Sequence, residues 1–133
     1  MKTTFRFEKL DAWNRAANLT MPLLEFADQL EQAKRYRFAE QLRGAALSVT
    51  NNIAEGSGSS SNKEFAHFVN IARRSTFEVV NMLLVFERHG LCTREQMEPW
   101  LAELEIISRM LEALRKRLSS SIRQILSALC ALL

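Results

Sequence analysis

Residues 61–90 read SNKEFAHFVNIARRSTFEVVNMLLVFERHG, and this stretch decides the fold class. One set of side chains recurs every three or four residues, which is the period of one face of an α-helix. The set comprises Phe65, Phe68, Val69, Ala72, Thr76, Val79, Val80, Leu83 and Phe86. Ser61 and Glu64 match a capping box, in which each side chain accepts a hydrogen bond from the other residue's free backbone N–H. The stretch therefore predicts one long amphipathic helix that stops at Gly90.

The residues after Gly90 predict a still longer helix. Thr93 and Gln96 form a second capping-box pattern at its start. An apolar stripe with near-heptad spacing follows in Met97, Trp100, Leu101, Leu104, Ile107, Leu111, Leu114 and Leu118. The pattern continues in the tail through Ile122, Ile125 or Leu126, and Leu129. An unbroken helix would approach ~60 Å at 1.5 Å per residue, so residues 119–133 are expected to project from the bundle or to find another surface.

Two amphipathic segments precede residue 61. The first runs from about Glu8 to Glu31, and its interior Pro22 predicts a kink near residues 18–21 or a break there. The second runs from about Arg35 to Glu55. Gly56 is expected to close it in the left-handed conformation, before a flexible polar connection at residues 57–61.

Four amphipathic segments joined by short turns predict an all-α fold, an antiparallel up-down-up-down four-helix bundle. It forms a single domain over residues 1–133, in which residues 119–133 are an apolar C-terminal extension. The composition agrees, because 47% hydrophobic and 25% charged residues with only four Gly and two Pro suit neither disorder nor a many-stranded sheet. Without a signal peptide or a membrane-spanning stretch, we expect a cytoplasmic protein that does not bind membranes.

The sequence offers little for catalysis. Its two histidines, His67 and His89, have no evident nucleophile or base beside them, and Cys92 is expected to be a small buried thiol. Paired carboxylates of the glycosidase kind, a phosphate-binding glycine loop and an HExxH motif are all missing. We therefore predict a protein that is not an enzyme and that holds neither a cofactor nor a metal.

Polar residues interrupt the apolar pattern of the second and third segments. They are Gln41, Ser48, Asn52 and Glu55 on the second, and Arg74, Ser75, Glu78 and Asn81 on the third. Glu55 or Glu78 is placed to meet an arginine across the helix pair, with Arg43, Arg73 and Arg74 as the candidates. Two interpretations stay open. Gln41, Asn52, Glu55, Ser75 and Glu78 form either a structural polar layer that fixes helix register or a functional site.

Basic residues cluster at three places in a chain of net charge +3. Because lysine and arginine neutralise phosphates and release counterions, the clusters predict affinity for a polyanion. The candidate nucleic-acid-binding residues are Lys34, Arg35, Arg37, Arg43, Arg73, Arg74, Arg115, Lys116 and Arg117. A solvated helix face is the alternative for the triplet at residues 115–117. Tyr36 and Phe38 are the aromatic candidates for base stacking.

The chain resembles a bacterial family of four-helix bundle proteins first noticed as reading frames inside intervening sequences of large-subunit ribosomal RNA genes. The resemblance rests on Gln41-Leu42-Arg43, Asn52-Ile53-Ala54-Glu55-Gly56, Lys63-Glu64-Phe65 and Ile71-Ala72-Arg73-Arg74-Ser75 with Glu78, and it runs from about Phe7 to Leu118. The family includes relatives of the accessory variability determinant of diversity-generating retroelements, which resembles a pentameric barrel that binds nucleic acid and a reverse transcriptase.

The resemblance implies a non-catalytic protein that assembles as a homo-oligomer, specifically a pentamer. It also implies that this assembly binds nucleic acid, and RNA in particular. Its implied protein partner is a nucleic-acid enzyme such as a reverse transcriptase. The alternative is a protein-interaction module that docks a partner through the apolar C-terminal helix, with its interaction tail at Ile122, Ile125, Leu126 and Leu129, and that does not bind nucleic acid.

Overall fold

The computed structural model describes residues 2–133, apart from the side chains of Ser121 and Ile122. A short 3-10 helix at Arg6–Lys9 precedes four α-helices. They are α1 (Asp11–Gln32), α2 (Tyr36–Ser57), α3 (Asn62–Arg88) and α4 (Arg94–Leu132). The described residues contain no strand, so the all-α prediction is confirmed. Each helix begins and ends close to the segment predicted for it.

The two capping patterns lie at the starts of α3 and α4. At α4 the box is complete, since the Thr93 N–H donates to Gln96 Oε1 at 2.9 Å and the Gln96 N–H donates to Thr93 Oγ1 at 3.2 Å. At α3 the Glu64 N–H donates to Ser61 Oγ at 3.2 Å. These bonds satisfy backbone donors that have no partner within the helix, which fixes where each helix begins.

Pro22 lies inside α1 without breaking it, so of the two predicted alternatives, a kink or a break, the break is wrong. Proline removes one backbone hydrogen bond and costs about 3 kcal/mol in a helix interior. Leu19 and Leu23 on either side are buried, and the buried Thr20 hydroxyl donates to the Ala16 carbonyl at 2.7 Å. Packing of this face against the core holds the helix together across the missing bond.

Gly56 does not close α2, contrary to the sequence-based expectation. The helix continues to Ser57, and the backbone of Gly56 is not left-handed. A Cβ atom at Gly56 would lie 2.6 Å from the Cβ of Phe68 and 3.0 Å from Cδ1 of Phe65. The glycine is therefore needed because α2 and α3 approach each other closely there.

The apolar stripes of the four helices meet in one core. Each helix contacts the next along the chain, and α1 also contacts α4. At one end of this bundle the Phe38 ring lies 5.4 Å from Phe86 and 6.5 Å from His89, measured between ring centroids. The turn between α1 and α2 and the turn between α3 and α4 therefore lie side by side at that end.

Helix α4 continues past the core, as predicted. Leu118 is still buried, whereas Ile125, Leu126 and Leu129 are 53–60% exposed. The 39 residues of α4 extend about 58 Å at 1.5 Å per residue. The side chain of Ile122, predicted to share this surface, lies outside the described residues. Among the helices described, none is long and apolar enough to cross a membrane.

Candidate nucleic-acid surfaces

Three polar side chains form a hydrogen-bonded chain between α2 and α3. The hydroxyls of Ser48 and Ser75 are 2.8 Å apart. Asn52 Nδ2 donates to Ser48 Oγ at 3.0 Å and to the Ser48 carbonyl at 2.7 Å. Ser75 is buried and the other two are half-buried, so every member of the chain has a partner. Such a satisfied group joins the two helices in one register.

The other predicted members of the polar layer face solvent. Gln41, Glu55 and Glu78 are all exposed in this chain, so their prediction as part of a buried layer is wrong. Long amide and carboxylate side chains lose less free energy when they stay hydrated than when they are buried without a full set of partners. The polar contact between α2 and α3 therefore involves short side chains.

Arg43 contacts three carboxylates and not Glu55 or Glu78. Its guanidinium lies 2.7 Å from Asp28, 3.3 Å from Glu31 and 2.8 Å from Glu40. Hydrogen bonds from Arg43 to Asp28 and then to Glu31 raise the pKa of Arg43 further above its usual value. Because its charge is already matched by acidic neighbours, Arg43 is less available to a phosphate than a cation without such partners. Its assignment to the nucleic-acid surface stays a prediction.

Three other predicted cations gather around Glu112, and we call this group the Glu112 cluster. Arg115 lies 2.7 Å from the Glu112 carboxylate, Arg73 lies 3.5 Å away and Lys116 lies 3.9 Å away. Hydrogen bonds from Arg115 lower the pKa of Glu112 to about 2, and the positive charges of Arg115, Arg73 and Lys116 act in the same direction. One carboxylate shared among three cations leaves this surface positive.

Glu112 was not among the residues predicted for these contacts. Its spacing of three and four residues to Arg115 and Lys116 was a usable signal, because such pairs are neighbours on a helix. Arg74 on α3 is exposed and makes no ion pair with another described residue, and Arg117 on α4 is also exposed.

A separate positive surface lies at the turn between α1 and α2. We call residues 34–37 the basic turn, because Lys34, Arg35 and Arg37 are exposed there and make no ion pair with any residue that the structure describes. Tyr36 between them is 59% exposed. The basic turn lies at the end of the bundle where α4 begins. It is therefore about 27 Å along α4 from Glu112, and the nine predicted cations do not form one surface.

A groove of about 440 Å³ lies between α3 and α4. It is lined by apolar side chains such as Phe77 and Leu101 and by polar ones such as Arg109. Among the described residues, no three His, Cys, Asp or Glu side chains are grouped to hold a metal ion. Cys92 is buried, and burial, followed by the charge of Glu87, raises the pKa of its thiol.

These features define a bundle of four helices with separate basic surfaces. The chain matches the model of the 23S rRNA-intervening sequence protein family over residues 8–113, and it belongs to that family. The resemblance noted from the sequence motifs is thereby confirmed. No curated protein matches the chain. The family match ends before the exposed part of α4, so the apolar extension lies outside the shared region.

Proposed function

We propose that this chain is a non-catalytic accessory protein that binds nucleic acid, and RNA in particular. Its membership in the 23S rRNA-intervening sequence protein family carries the proposal. The exposed cations support it, because lysine and arginine side chains without acidic partners are free to neutralise phosphates.

We infer that the four helices alternate in direction along the bundle. The connections between successive helices are three, four and five residues long, which favours antiparallel neighbours. The contacts of α1 with both α2 and α4 fit a closed four-helix arrangement. By its resemblance to the accessory variability determinant, we further propose a homo-oligomer, a pentamer, that serves an enzyme such as a reverse transcriptase.

Two measurements on the full chain test this function. An electrophoretic mobility assay at low salt should show a shift of a structured RNA, and the shift should weaken as salt rises because released counterions drive the association. Light scattering should give a mass of several chains. Absence of any shift with both structured RNA and single strands would contradict the nucleic-acid part, and a monomeric mass would contradict the oligomer.

The exposed end of α4 favours a second candidate function, a protein-interaction module. Ile125, Leu126 and Leu129 form an apolar surface outside the core, and such surfaces usually mark interfaces. Deleting residues 119–133 should abolish oligomerisation or partner capture while the helical signal of residues 2–118 persists. An unchanged mass and unchanged partner capture after this deletion would rule out docking through the tail.

A further inference from the structure

Resting on the proposed function, we propose that the basic turn is the nucleic-acid-binding site and that its ligand is a single-stranded segment with a base stacked on Tyr36. The site consists of Lys34, Arg35 and Arg37, which contact phosphates, and of the exposed Tyr36 ring. Four structural observations support this choice over the Glu112 cluster.

The first observation is the backbone of Lys34. The turns after α1 and α3 share one hydrogen-bond pattern, in which the Arg35 N–H donates to the Leu30 carbonyl at 2.8 Å and the Leu91 N–H donates to the Phe86 carbonyl at 2.9 Å. This pattern needs one left-handed residue. The turn after α3 uses Gly90, with φ of 82°, whereas the turn after α1 uses Lys34, with φ of 63°. A lysine therefore occupies a position that favours glycine.

The second observation is the charge at the start of α2. Acidic residues lie in the first turns of the other three α-helices, at Asp11, Glu64 and Glu95, where they interact favourably with the helix dipole. The first turn of α2 has no acidic residue and instead carries Arg37, two residues after Arg35 at the N-cap. These cations oppose the dipole. Two features that lower local stability, the left-handed Lys34 and the cations at the start of α2, thus lie within four residues. Such a combination is typical of a functional site.

The third observation concerns the neighbouring charges. Because the His89 ring packs against Phe38, the end of α3 lies beside the basic turn, and it brings Arg88, which is exposed and forms no ion pair with a described residue. Five carboxylates of the neighbouring helices contact other arginines. Asp28, Glu31 and Glu40 contact Arg43, and Glu87 and Glu98 contact Arg94. The cations of the turn are therefore available to an external anion.

The fourth observation is the Tyr36 ring. It is exposed, and no aromatic side chain of the described residues stacks on it. Bases in a duplex already stack on one another, whereas bases of a single strand are free to stack on an exposed aromatic ring. Cations on both sides of Tyr36 would hold the phosphates that flank such a base. This combination selects single strands over duplexes.

The test is a binding measurement on the full chain by fluorescence anisotropy. The probes are a labelled 12-nucleotide RNA, the DNA strand of the same sequence and a blunt duplex, each over a range of salt concentrations. The Lys34→Gly/Arg37→Gln variant removes two positive charges from the turn. The control variant Lys9→Gln/Lys63→Gln removes the same charge from two exposed positions outside the predicted basic clusters. Circular dichroism verifies that both variants fold.

We expect the turn variant to bind both single strands more weakly than the wild type, with a salt slope smaller by about 1.4 if two phosphate contacts are lost. The control variant should bind as the wild type does. Tyr36→Ala should weaken single-strand binding about 5- to 150-fold and leave duplex binding unchanged. The loss should be similar for the RNA and the DNA strand, since phosphate and base are the groups that the site contacts.

The outcomes separate this proposal from the proposed function. If the wild type binds and both double variants lose affinity equally, the basic turn is not the site although nucleic-acid binding stands. If Tyr36→Ala weakens strand and duplex equally, or if the duplex binds most tightly, the single-strand assignment is overturned. If the wild type binds none of the probes and no structured RNA, the proposed function fails as well.

Discussion

A Cβ atom on Gly56 would lie only 2.6 Å from the Cβ of Phe68, so α2 and α3 meet at a point that has no room for a side chain. Gly56→Ala should therefore lower the free energy of unfolding by about 1–3 kcal/mol, as overpacking of a close contact does. Urea denaturation followed by circular dichroism would measure the change.

Gly44 in the same helix provides the matched control. It is exposed, and a Cβ placed there would meet no atom within 4 Å. Gly44→Ala should raise the free energy of unfolding by about 0.5–1 kcal/mol, because alanine has the higher helix propensity. Opposite signs for the two substitutions are the diagnostic result. If Gly56→Ala also stabilised the protein, the close approach of α2 and α3 would be contradicted.

Lys34 and Gly90 occupy equivalent positions in two turns and should respond oppositely to substitution. Lys34→Gly relieves a left-handed lysine and is expected to stabilise the protein by about 1 kcal/mol, whereas Gly90→Ala introduces the same strain and should cost about 1–2 kcal/mol. Thermal unfolding of both variants would test this. A lower melting temperature for Lys34→Gly would mean that the lysine side chain stabilises the turn.

The helices could be predicted from the sequence because their signals are local. The apolar period and the Thr93–Gln96 capping box depend only on residues within one helix, and the structure reproduces both. The role of Gly56 could not be predicted in this way, since it depends on which residues of α3 face it. A glycine that follows a helical segment has the same appearance in sequence whether it ends the helix or allows close packing.

Which surface cations have acidic partners was less predictable, for the same reason. Arg43 contacts Asp28 and Glu31 from a different helix, so its neutralisation follows from the packing of α1 on α2. The sequence pattern grouped Gln41 with Asn52 in one polar layer, but the width of the contact between the helices decides which of the two is covered. Which side chains are buried depends on the neighbouring helix, and the sequence pattern of a single helix does not reveal this.

The depressed pKa of Glu112 predicts a specific dependence of stability on pH. Its pKa is about 2 in the folded protein, against an ordinary value of 4.5. A carboxylate with a lowered pKa contributes stability that is complete above about pH 4.5 and is lost as the pH falls through about 2. Glu112→Gln should therefore destabilise the protein most at neutral pH and progressively less toward pH 2.

Unfolding free energies of the wild type and Glu112→Gln, compared between pH 5 and pH 2, would measure this effect. Glu25→Gln is a control, because Glu25 is exposed on α1 and forms no ion pair with a described residue. A difference between wild type and Glu112→Gln that stays constant over this range would show that the carboxylate charge does not carry the interaction with Arg115.

The two cysteines should react at different rates. Cys130 is exposed on the end of α4, whereas Cys92 is buried and its thiol has a raised pKa. Because the thiolate is the reactive form, a thiol reagent at pH 8 should modify one cysteine per chain quickly and the second only on unfolding. Cys130→Ser should remove the fast phase. Rapid modification of both thiols in the wild type would contradict the burial of Cys92.

Helix α4 leaves the core without an intervening turn. The direction in which the apolar side chains of its exposed part point is therefore fixed by the rotation of one continuous helix. Inserting a single residue after Leu118 would rotate Ile125 and Leu129 by about 100° around the helix axis and advance them by about 1.5 Å, with hardly any change in composition. The number of residues between the core and the tail therefore determines the direction in which the tail presents its apolar side chains to a partner.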